Sequence, residues 1–384
     1  MRLVIICSNG SILTIETPVY RRRLANRPTT RSPDMFRNRQ KTYNLWEPQP
    51  KKRTPMKAIV CKQYGPPDLL QFKDVAKPAP ADNQVLIKVC AASANPLDWR
   101  LMRADPVFVR LFFGLFKPKL EILGSDIAGR VEEVGKDVKQ FQPGDEVFGA
   151  KGFAGGGFAE YVCAVENELT LKPANVSFED AAAVPVAAIT ALQGLRDKGL
   201  IQRGQKVLID GASGGVGTFA VQIAKSFGAE VTAVCSTRNL ETARSIGADH
   251  VIDYTREDFT RSGQRYDLIL AANARHSVFD YRRALSQDGI YVKAGGKPTL
   301  HGVLEDLIVA PFLSRIGRRK TCTFIAKLTH EDLVILKDLL EAGKIVPVID
   351  RRYPLSEVAE ALRYLEKGHA QGKVIITVEP GSHT

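Results

Sequence analysis

The sequence predicts an α/β protein in which a mostly antiparallel β region precedes a doubly wound parallel sheet. Two changes of texture along the chain support this prediction. From residue 56 to about 184, short strands are separated by Gly and Pro turns, which is typical of antiparallel sheet. From about 189 to 296, apolar strands alternate with helical patterns, which is typical of a parallel sheet covered by helices.

Short apolar runs bounded by turn residues place the individual elements. The strands of the β region are predicted at 56–61, 84–90, 129–134, 146–148 and 159–162. Those of the parallel sheet are predicted at 207–210, 231–235, 251–253, 268–271 and 290–293. Helices near 331–342 and 355–367 and a final strand at 372–378 complete the chain.

These regions divide the 384 residues into four segments. Residues 1–55 hold 12 of the 54 basic side chains and three of the 42 acidic ones. They are expected to be a disordered arm, an organelle transit peptide, or a stretch upstream of a true start at Met56. Residues 56–185 form the substrate domain, 186–322 the dinucleotide-binding domain, and 323–384 return to the first of these. The body is nearly neutral, so its charge gives no reason to expect nucleic-acid binding.

Residues 211–217 read Gly-Ala-Ser-Gly-Gly-Val-Gly, between a predicted strand and an amphipathic helix at 218–227 that Gly228 ends. This context is the fingerprint of a dinucleotide-binding turn, the alternative being a tight turn without a ligand. Gly214 would let the backbone approach a pyrophosphate, and Gly217 would let the helix pack on the strand. The helix N-terminus favours the phosphate charge. The predicted pyrophosphate contacts are Ser213, Gly214, Gly215, Val216 and Gly217.

The strand after this helix indicates which dinucleotide binds. It ends in Ser236, Thr237 and Arg238, where an NAD-binding fold usually carries an acid for the ribose hydroxyls. The nearest acid, Glu241, is expected in the following helix. Hydroxyls and a guanidinium suit a 2′-phosphate, so the sequence favours NADPH over NADH. The alternative is that Arg238 is an ordinary solvated charge.

Several blocks resemble the zinc-free quinone oxidoreductase group of the medium-chain dehydrogenase/reductases, including its zeta-crystallin-like and reticulon-interacting mitochondrial branches. They are GSDIAGRVEEVG at 124–135, GDEVFG at 144–149, the glycine turn, and the stretches 355–365 and 372–378. The resemblance covers residues 56–378. It implies a GroES-like antiparallel catalytic domain with a Rossmann domain inserted before its last segment, a cleft between them, and a homodimer. It also implies NADPH-dependent reduction of small quinones or α,β-unsaturated carbonyls.

The resemblance carries further site residues onto this sequence. Asn95 and Thr190 would face the nicotinamide, and Ala294 and Gly295 would lie close to it. Tyr254 and Asn273, which follow the third and fourth strands, would line the cofactor. Two other side chains are open: Tyr64 is either a phenolic donor or a surface aromatic, and Asp98 is either an active-site group or a helix cap.

No metal site is predicted. The zinc-binding members of the superfamily supply a Cys and a His-Glu pair, where this chain has 94–99 without Cys and Ser125-Asp126. The six His and six Cys residues form no ligand spacing. The rival functions are a cofactor-binding regulatory or scaffold protein without turnover, and a zinc-type alcohol dehydrogenase.

No run of about 18 apolar residues predicts a membrane span. The aromatic stretch 106–116 is expected to pack in the core, with a pocket or a membrane surface as alternatives. The expected location is cytoplasmic, or an organelle if residues 1–55 are a transit peptide.

Overall fold

The computed structural model describes residues 54–296, 309–315 and 317–378, together with two strands near the N-terminus. The chain forms two units, Met1–Lys52 and Arg53–Thr384. In the first unit, strand β1 (Arg2–Ile6) pairs antiparallel with β2 (Ile12–Glu16). The rest of the extension predicted at 1–55 lies outside the described residues, apart from its last two positions.

Most strands of the region predicted to be the substrate domain form one sheet in the second unit. The strands are β5 (Gln84–Ala94), β6 (Asp126–Val134), β7 (Glu146–Ala150), β8 (Tyr161–Val165), β9 (Leu169–Leu171), β16 (Ile349–Pro354) and β17 (Lys373–Thr377). Their order is β16-β17-β5-β6-β7-β9, with β8 also paired to β5. All pairs are antiparallel except β16 with β17. β3 (Pro55–Val60) and β4 (Gln71–Ala76) form a separate antiparallel pair.

A second sheet is wholly parallel. Its strands are β10 (Lys206–Asp210), β11 (Glu230–Cys235), β12 (His250–Asp253), β13 (Tyr266–Ala271), β14 (Leu285–Lys293) and β15 (Lys320–Thr323). The order β12-β11-β10-β13-β14-β15 is the 3-2-1-4-5-6 order of a Rossmann sheet. The predicted fold class, with one mostly antiparallel and one doubly wound parallel sheet, is confirmed.

The helices cover these sheets. They are α1 (Pro96–Arg103), α2 (Arg110–Phe113), α3 (Phe178–Ala183), α4 (Pro185–Gln193), α5 (Gly215–Ser226), α6 (Leu240–Ser245), α7 (Val278–Arg283), α8 (Ala310–Arg315), α9 (His330–Glu341) and α10 (Val358–Glu366). A π-helical turn, Gly194–Lys198, extends α4. As expected, Glu241 lies in the helix after β11.

The final strand brings the chain end back to the first sheet. β17 lies between β16 and β5, and its residues Val374, Ile375 and Ile376 are fully buried. Val374 and Ile376 join the core of the antiparallel sheet, whereas Ile375 packs into the core shared with α4 and α5. The last strand therefore ties the two sheets together.

The stretch 106–116 meets the core-packing expectation only in part, because Val109 and Phe113 pack against the core of the antiparallel sheet. Its side chains Val107, Phe108, Leu111, Leu115 and Phe116 are all exposed. The stretch forms only a single turn of 3₁₀ helix and the short α2, so it has too few inward positions to bury every apolar side chain.

Candidate active site

The glycine turn joins β10 to α5 at the carboxyl edge of the parallel sheet. Gly211 has a φ of +81°, a conformation that favours glycine. A Cβ on Gly217 would lie 2.1 Å from the Gly211 carbonyl oxygen, so helix and turn are in direct backbone contact. A Cβ on Gly214 would meet only that same oxygen, at 3.7 Å. The surface of the turn is therefore open at Gly214 and closed at Gly217, as a dinucleotide site requires.

The neighbouring strand ends meet this turn. A Cβ on Gly211 would lie 2.9 Å from the Cβ of Asn273, which follows β13. Ala294 donates its N–H to the Ala271 carbonyl at 2.9 Å, so the end of β14 lies beside that of β13. Gly295 packs equally closely, since its Cβ would lie 2.3 Å from the Ala272 carbonyl oxygen. The structure thus brings these three predicted residues to the point where the strand order reverses, the usual crevice for a ligand.

A cavity of about 330 Å³ lies beyond β11. Its lining residues are Ser236, Thr237, Arg238, Tyr254 and His369. Arg238 is exposed and donates from Nη2 to the His369 carbonyl at 3.1 Å. Asn239 donates to Ser236 Oγ at 3.0 Å, which leaves the Ser236 proton free for a ligand. The structure therefore brings the predicted phosphate residues and Tyr254 together around one space.

Thr237 is less suited to a phosphate than the sequence suggests. Its hydroxyl donates to Asp253, and that hydrogen bond lowers the pKa of the Asp253 carboxyl. The donors that remain for an anion are Ser236 and Arg238. Tyr254 also lines an adjoining cavity of about 410 Å³, where the Arg275 guanidinium lies 4.1 Å from its ring centroid.

A buried polar cluster links three strands of the antiparallel sheet to α4, and sequence reasoning identified only one of its members as a site residue. Asp126 at the start of β6 is fully buried and pairs with the Lys373 ammonium at 3.2 Å. Lys373 also donates to Asn95 Oδ1 at 2.7 Å, and Asn95 donates from Nδ2 to Asp126 at 2.9 Å. Ser93 and the backbone N–H of Val186 donate to the same carboxylate, at 2.7 and 2.9 Å. Asn95 is thus one corner of a fully hydrogen-bonded triangle.

The stem of Lys373 passes over the glycine turn on its way to this cluster. A Cβ on Gly215 would lie 2.9 Å from Lys373 Cδ. The absence of a side chain at Gly215 therefore leaves room for the aliphatic part of Lys373 at the N-terminus of α5. The sequence does carry a signal for this residue, because Lys373 is a single charge at the start of an otherwise apolar strand.

Asp98 belongs to the scaffold beneath Asn95. Its two carboxylate oxygens accept the backbone N–H groups of Asn95 at 2.7 Å and Gly124 at 3.1 Å. A carboxylate in the first turn of a helix that accepts the N–H of the residue before the helix is part of a helix cap. This contact supports the alternative in which Asp98 caps α1. Burial raises the pKa of the Asp98 carboxyl to about 7, and the two backbone donors oppose that rise.

The raised pKa of Asp98 predicts a pH-dependent stability. A folded carboxyl that holds its proton more tightly than the unfolded one, whose pKa is near 4, stabilises the fold most at low pH. This contribution is lost as the pH rises from about 4 to about 7, at a rate of about 1.4 kcal/mol per pH unit. In urea unfolding across this range, the free energy of unfolding should fall more for the wild type than for Asp98→Asn. Parallel pH curves for the two proteins would contradict the assignment.

Two predicted site residues have structural hydrogen bonds. Thr190 is half-buried and donates its hydroxyl to the Val186 carbonyl one turn earlier in α4, at 2.7 Å. Tyr64 donates its phenol to the Gly114 carbonyl at 2.8 Å, and the Arg110 guanidinium lies 5.0 Å from its ring centroid. These contacts assign Tyr64 to the support of the 106–116 stretch, and its catalytic role stays a prediction.

No three His, Cys, Asp or Glu side chains are grouped to hold a metal ion within 54–296, 309–315 and 317–378. The same residues contain no helix long and apolar enough to cross a bilayer.

Comparison with known proteins places this architecture in a family. The family described as alcohol dehydrogenase GroES-like domain matches residues 81–174, and the one described as zinc-binding dehydrogenase matches 246–376. The mitochondrial NAD(P)H oxidoreductase RTN4IP1 of Mus musculus is 36% identical over 364 residues, covering 85% of this chain and 90% of that protein. The 2-methylene-furan-3-one reductase of Solanum lycopersicum is 38% identical over 333 residues, covering 84% and 79%. The solved quinone oxidoreductase of Coxiella burnetii has a TM-score of 0.75 and 33% identity, covering 85% of this chain and all of that one.

This chain belongs to the quinone oxidoreductase group of the medium-chain dehydrogenase/reductases. As a medium-chain dehydrogenase/reductase it is an oxidoreductase that uses a nicotinamide dinucleotide, and the turn between β10 and α5 has the geometry to bind one. Zinc-binding members carry a His-Glu pair where this chain has Ser125 and Asp126. Here the Asp126 carboxylate is neutralised by the Lys373 ammonium.

Proposed function

We propose that this protein reduces quinones and α,β-unsaturated carbonyls with NADPH and without zinc. The observation that carries the proposal is the buried Lys373–Asn95–Asp126 cluster beside the glycine turn. It consists of a buried ammonium, paired with a carboxylate, and an amide next to the predicted nicotinamide site, where a metal-binding member would hold its cation. The names of the tomato and Coxiella relatives support an enone or a quinone as the substrate.

The residues present fit the proposed cofactor. Gly214 leaves the backbone N–H groups at the start of α5 open to a pyrophosphate. Ser236 and Arg238 are the donors for a 2′-phosphate, with Tyr254 lining the same cavity. Asn273, Ala294 and Gly295 lie at the strand ends beyond the turn, where the remaining length of the dinucleotide would extend.

The cofactor supplies a hydride when it is bound. The chain supplies position and charge. The substrate oxygen becomes more negative during reduction, and donors that are already oriented stabilise that charge without reorganisation. The Lys373 ammonium is held by Asn95 and Asp126, so it needs no rearrangement to act in this way. Since Lys373, Asn95 and Asp126 are almost completely buried, the same residues also exclude water from the site.

The experiment that tests this function is NADPH oxidation by the full chain with quinones, enones, simple aldehydes and alcohols. We expect turnover with quinones or enones, and activity that chelators leave unchanged. NADPH binding without turnover would favour the rival regulatory or scaffold function, because a fold by itself does not determine an activity. Alcohol oxidation that depends on stoichiometric zinc would favour the alcohol dehydrogenase alternative.

Arg238→Gln tests the choice of cofactor. A charge-assisted contact to a 2′-phosphate contributes about 1.5–3 kcal/mol, so NADPH affinity should fall about 10- to 100-fold while NADH affinity stays the same. Fluorescence titration of both nucleotides measures the two affinities. Arg244→Gln is the matched control, since Arg244 is an exposed α6 arginine paired with Glu241 and should leave both affinities unchanged. Equal losses for NADPH and NADH in Arg238→Gln would contradict a 2′-phosphate contact.

We also propose a homodimer as the working assembly, which sedimentation equilibrium of the full chain would test. For location, the cytoplasm is the proposal, and an organelle is the alternative if residues 1–55 act as a transit peptide. The mitochondrial name of the mouse relative supports that alternative. Imaging of the chain with and without residues 1–55 distinguishes the two.

A further inference from the structure

An exposed apolar surface lies between α1 and β6. It consists of Val107, Phe108, Leu111, Leu115 and Phe116, and we call it the 107–116 surface. Val107 is 71% exposed, Leu111 70% and Phe116 89%. Leu111 follows Phe108 by three residues and Val107 by four, along consecutive helical turns. This spacing puts the three side chains on one side of the segment.

The segment is held in this shape by specific contacts. The Tyr64 phenol donates to the Gly114 carbonyl at 2.8 Å, and the Lys119 N–H donates to the Phe113 carbonyl at 2.7 Å. Gly114 has a φ of +119°, and a Cβ there would lie 2.1 Å from the Lys117 carbonyl oxygen. The apolar side chains are therefore presented by a turn that only glycine allows, so their exposure is built into the fold.

The segment that carries these side chains is basic. Between residues 106 and 120 the sequence has Arg110, Lys117 and Lys119 and no acidic residue, and the acids Asp105 and Glu121 flank this segment. Both lysines are exposed. Phe and Leu interleaved with basic side chains are the composition of a surface that inserts into the interface of an anionic bilayer.

Two connections lead from the 107–116 segment toward the candidate active site. The segment follows α1, which begins directly after Asn95. Phe113 lies beneath it, and its ring centroid is 5.5 Å from that of Phe153. The neighbour of Phe153, Gly152, accepts a hydrogen bond from the hydroxyl of Ser125, next to Asp126.

We propose that the 107–116 surface docks the protein on an anionic lipid bilayer. Insertion of the phenylalanine and leucine side chains removes apolar area from water, and Lys117 and Lys119 pair with lipid phosphates. A second copy of the chain fits less well, because a two-fold contact would set the same basic side chains against each other. A further consequence, that lipid-dissolved substrates enter from the bilayer, rests on the proposed function.

Vesicle sedimentation of the full chain tests the docking, without nucleotide or substrate. We expect binding to phosphatidylserine–phosphatidylcholine vesicles that is stronger than binding to phosphatidylcholine alone. Phe108→Ser and Phe116→Ser should each weaken the partition coefficient about tenfold. Phe279→Ser is the matched control: Phe279 on α7 is 56% exposed, close to the 54% of Phe108, and should have no effect. Lys117→Gln and Lys119→Gln should each cost about fivefold on anionic vesicles only.

All proteins in this comparison carry the same basic N-terminal segment, so differences among them report on the 107–116 surface. Equal vesicle binding by wild type, Phe116→Ser and Phe279→Ser would overturn the proposal. If Phe116→Ser leaves vesicle binding unchanged but lowers the sedimentation mass, the surface is a contact between copies. If it raises only the KM for a water-soluble quinone, the surface covers the substrate. Failure of NADPH turnover leaves the vesicle result standing, so the two proposals fail separately.

Discussion

Lys373→Met is expected to abolish turnover and to lower the free energy of unfolding by about 3–5 kcal/mol. The loss follows from Asp126, which is completely buried and has Lys373 as its charged partner at 3.2 Å. Removal of the ammonium leaves a carboxylate without a counter-charge, where only the Ser93, Asn95 and Val186 donors remain. Urea unfolding and NADPH oxidation measure the two effects.

A second variant separates the chemical role of Lys373 from its role in folding. Lys373→Met combined with Asp126→Asn removes both charges, so most of the stability should return while turnover stays absent. Lys225→Met is the matched control, because the Lys225–Asp249 pair is half-exposed at 2.7 Å and such pairs contribute about 0–1 kcal/mol. Turnover in the folded double variant would show that the cluster serves the fold alone.

Gly217→Ala is the second change with a large expected effect. Its Cβ would lie 2.1 Å from the Gly211 oxygen and 2.7 Å from the Cα of Ala212. These are backbone atoms and cannot rotate away, so α5 must move off the turn. We expect a loss of roughly 4 kcal/mol or more in the free energy of unfolding, together with loss of dinucleotide binding.

Gly214→Ala is the matched control for that variant. Gly214 has an extended backbone with a φ of −83°, and its Cβ would meet one atom at 3.7 Å, so stability should change by less than about 0.5 kcal/mol. NADPH affinity should nevertheless fall about tenfold or more, because the methyl group occupies the space predicted for the pyrophosphate. Unchanged NADPH affinity in Gly214→Ala would contradict the predicted binding mode, and a stable Gly217→Ala protein would contradict the close helix packing.

Local signals in the sequence were sufficient to find the dinucleotide domain. Strand, glycine turn and helix are adjacent in the chain, so 206–228 could be interpreted without knowing what packs around it. Arg238 was found in the same way, from its position at the end of the next strand. The helix itself begins three residues earlier than its apolar pattern indicates, at Gly215, because a glycine-rich first turn has no side chains to show the period.

The Lys373–Asp126 pair could not be found by such signals. These two residues are 247 positions apart in the chain, and the strand that Asp126 begins carries three further charged residues. They meet because β17 and β6 lie on opposite sides of the same strand, β5. The exposure of apolar side chains in 106–116 is a similar case. A dense run of aromatic residues is buried only where another part of the chain covers it, and the run itself does not show whether such a cover exists.

By itself, the sequence determined the two sheet types, the glycine turn with the helix that follows it, and the resemblance to quinone oxidoreductases, because each depends on residues close together in the chain. Only the tertiary structure decided which side chains surround the reacting site. It placed the Asp98 carboxylate beneath Asn95 and the Tyr64 phenol on the Gly114 carbonyl, brought Lys373 to Asn95, and left Phe116 in solvent. Strand order and the path of the last strand control these contacts, and neither is encoded in any local run of residues.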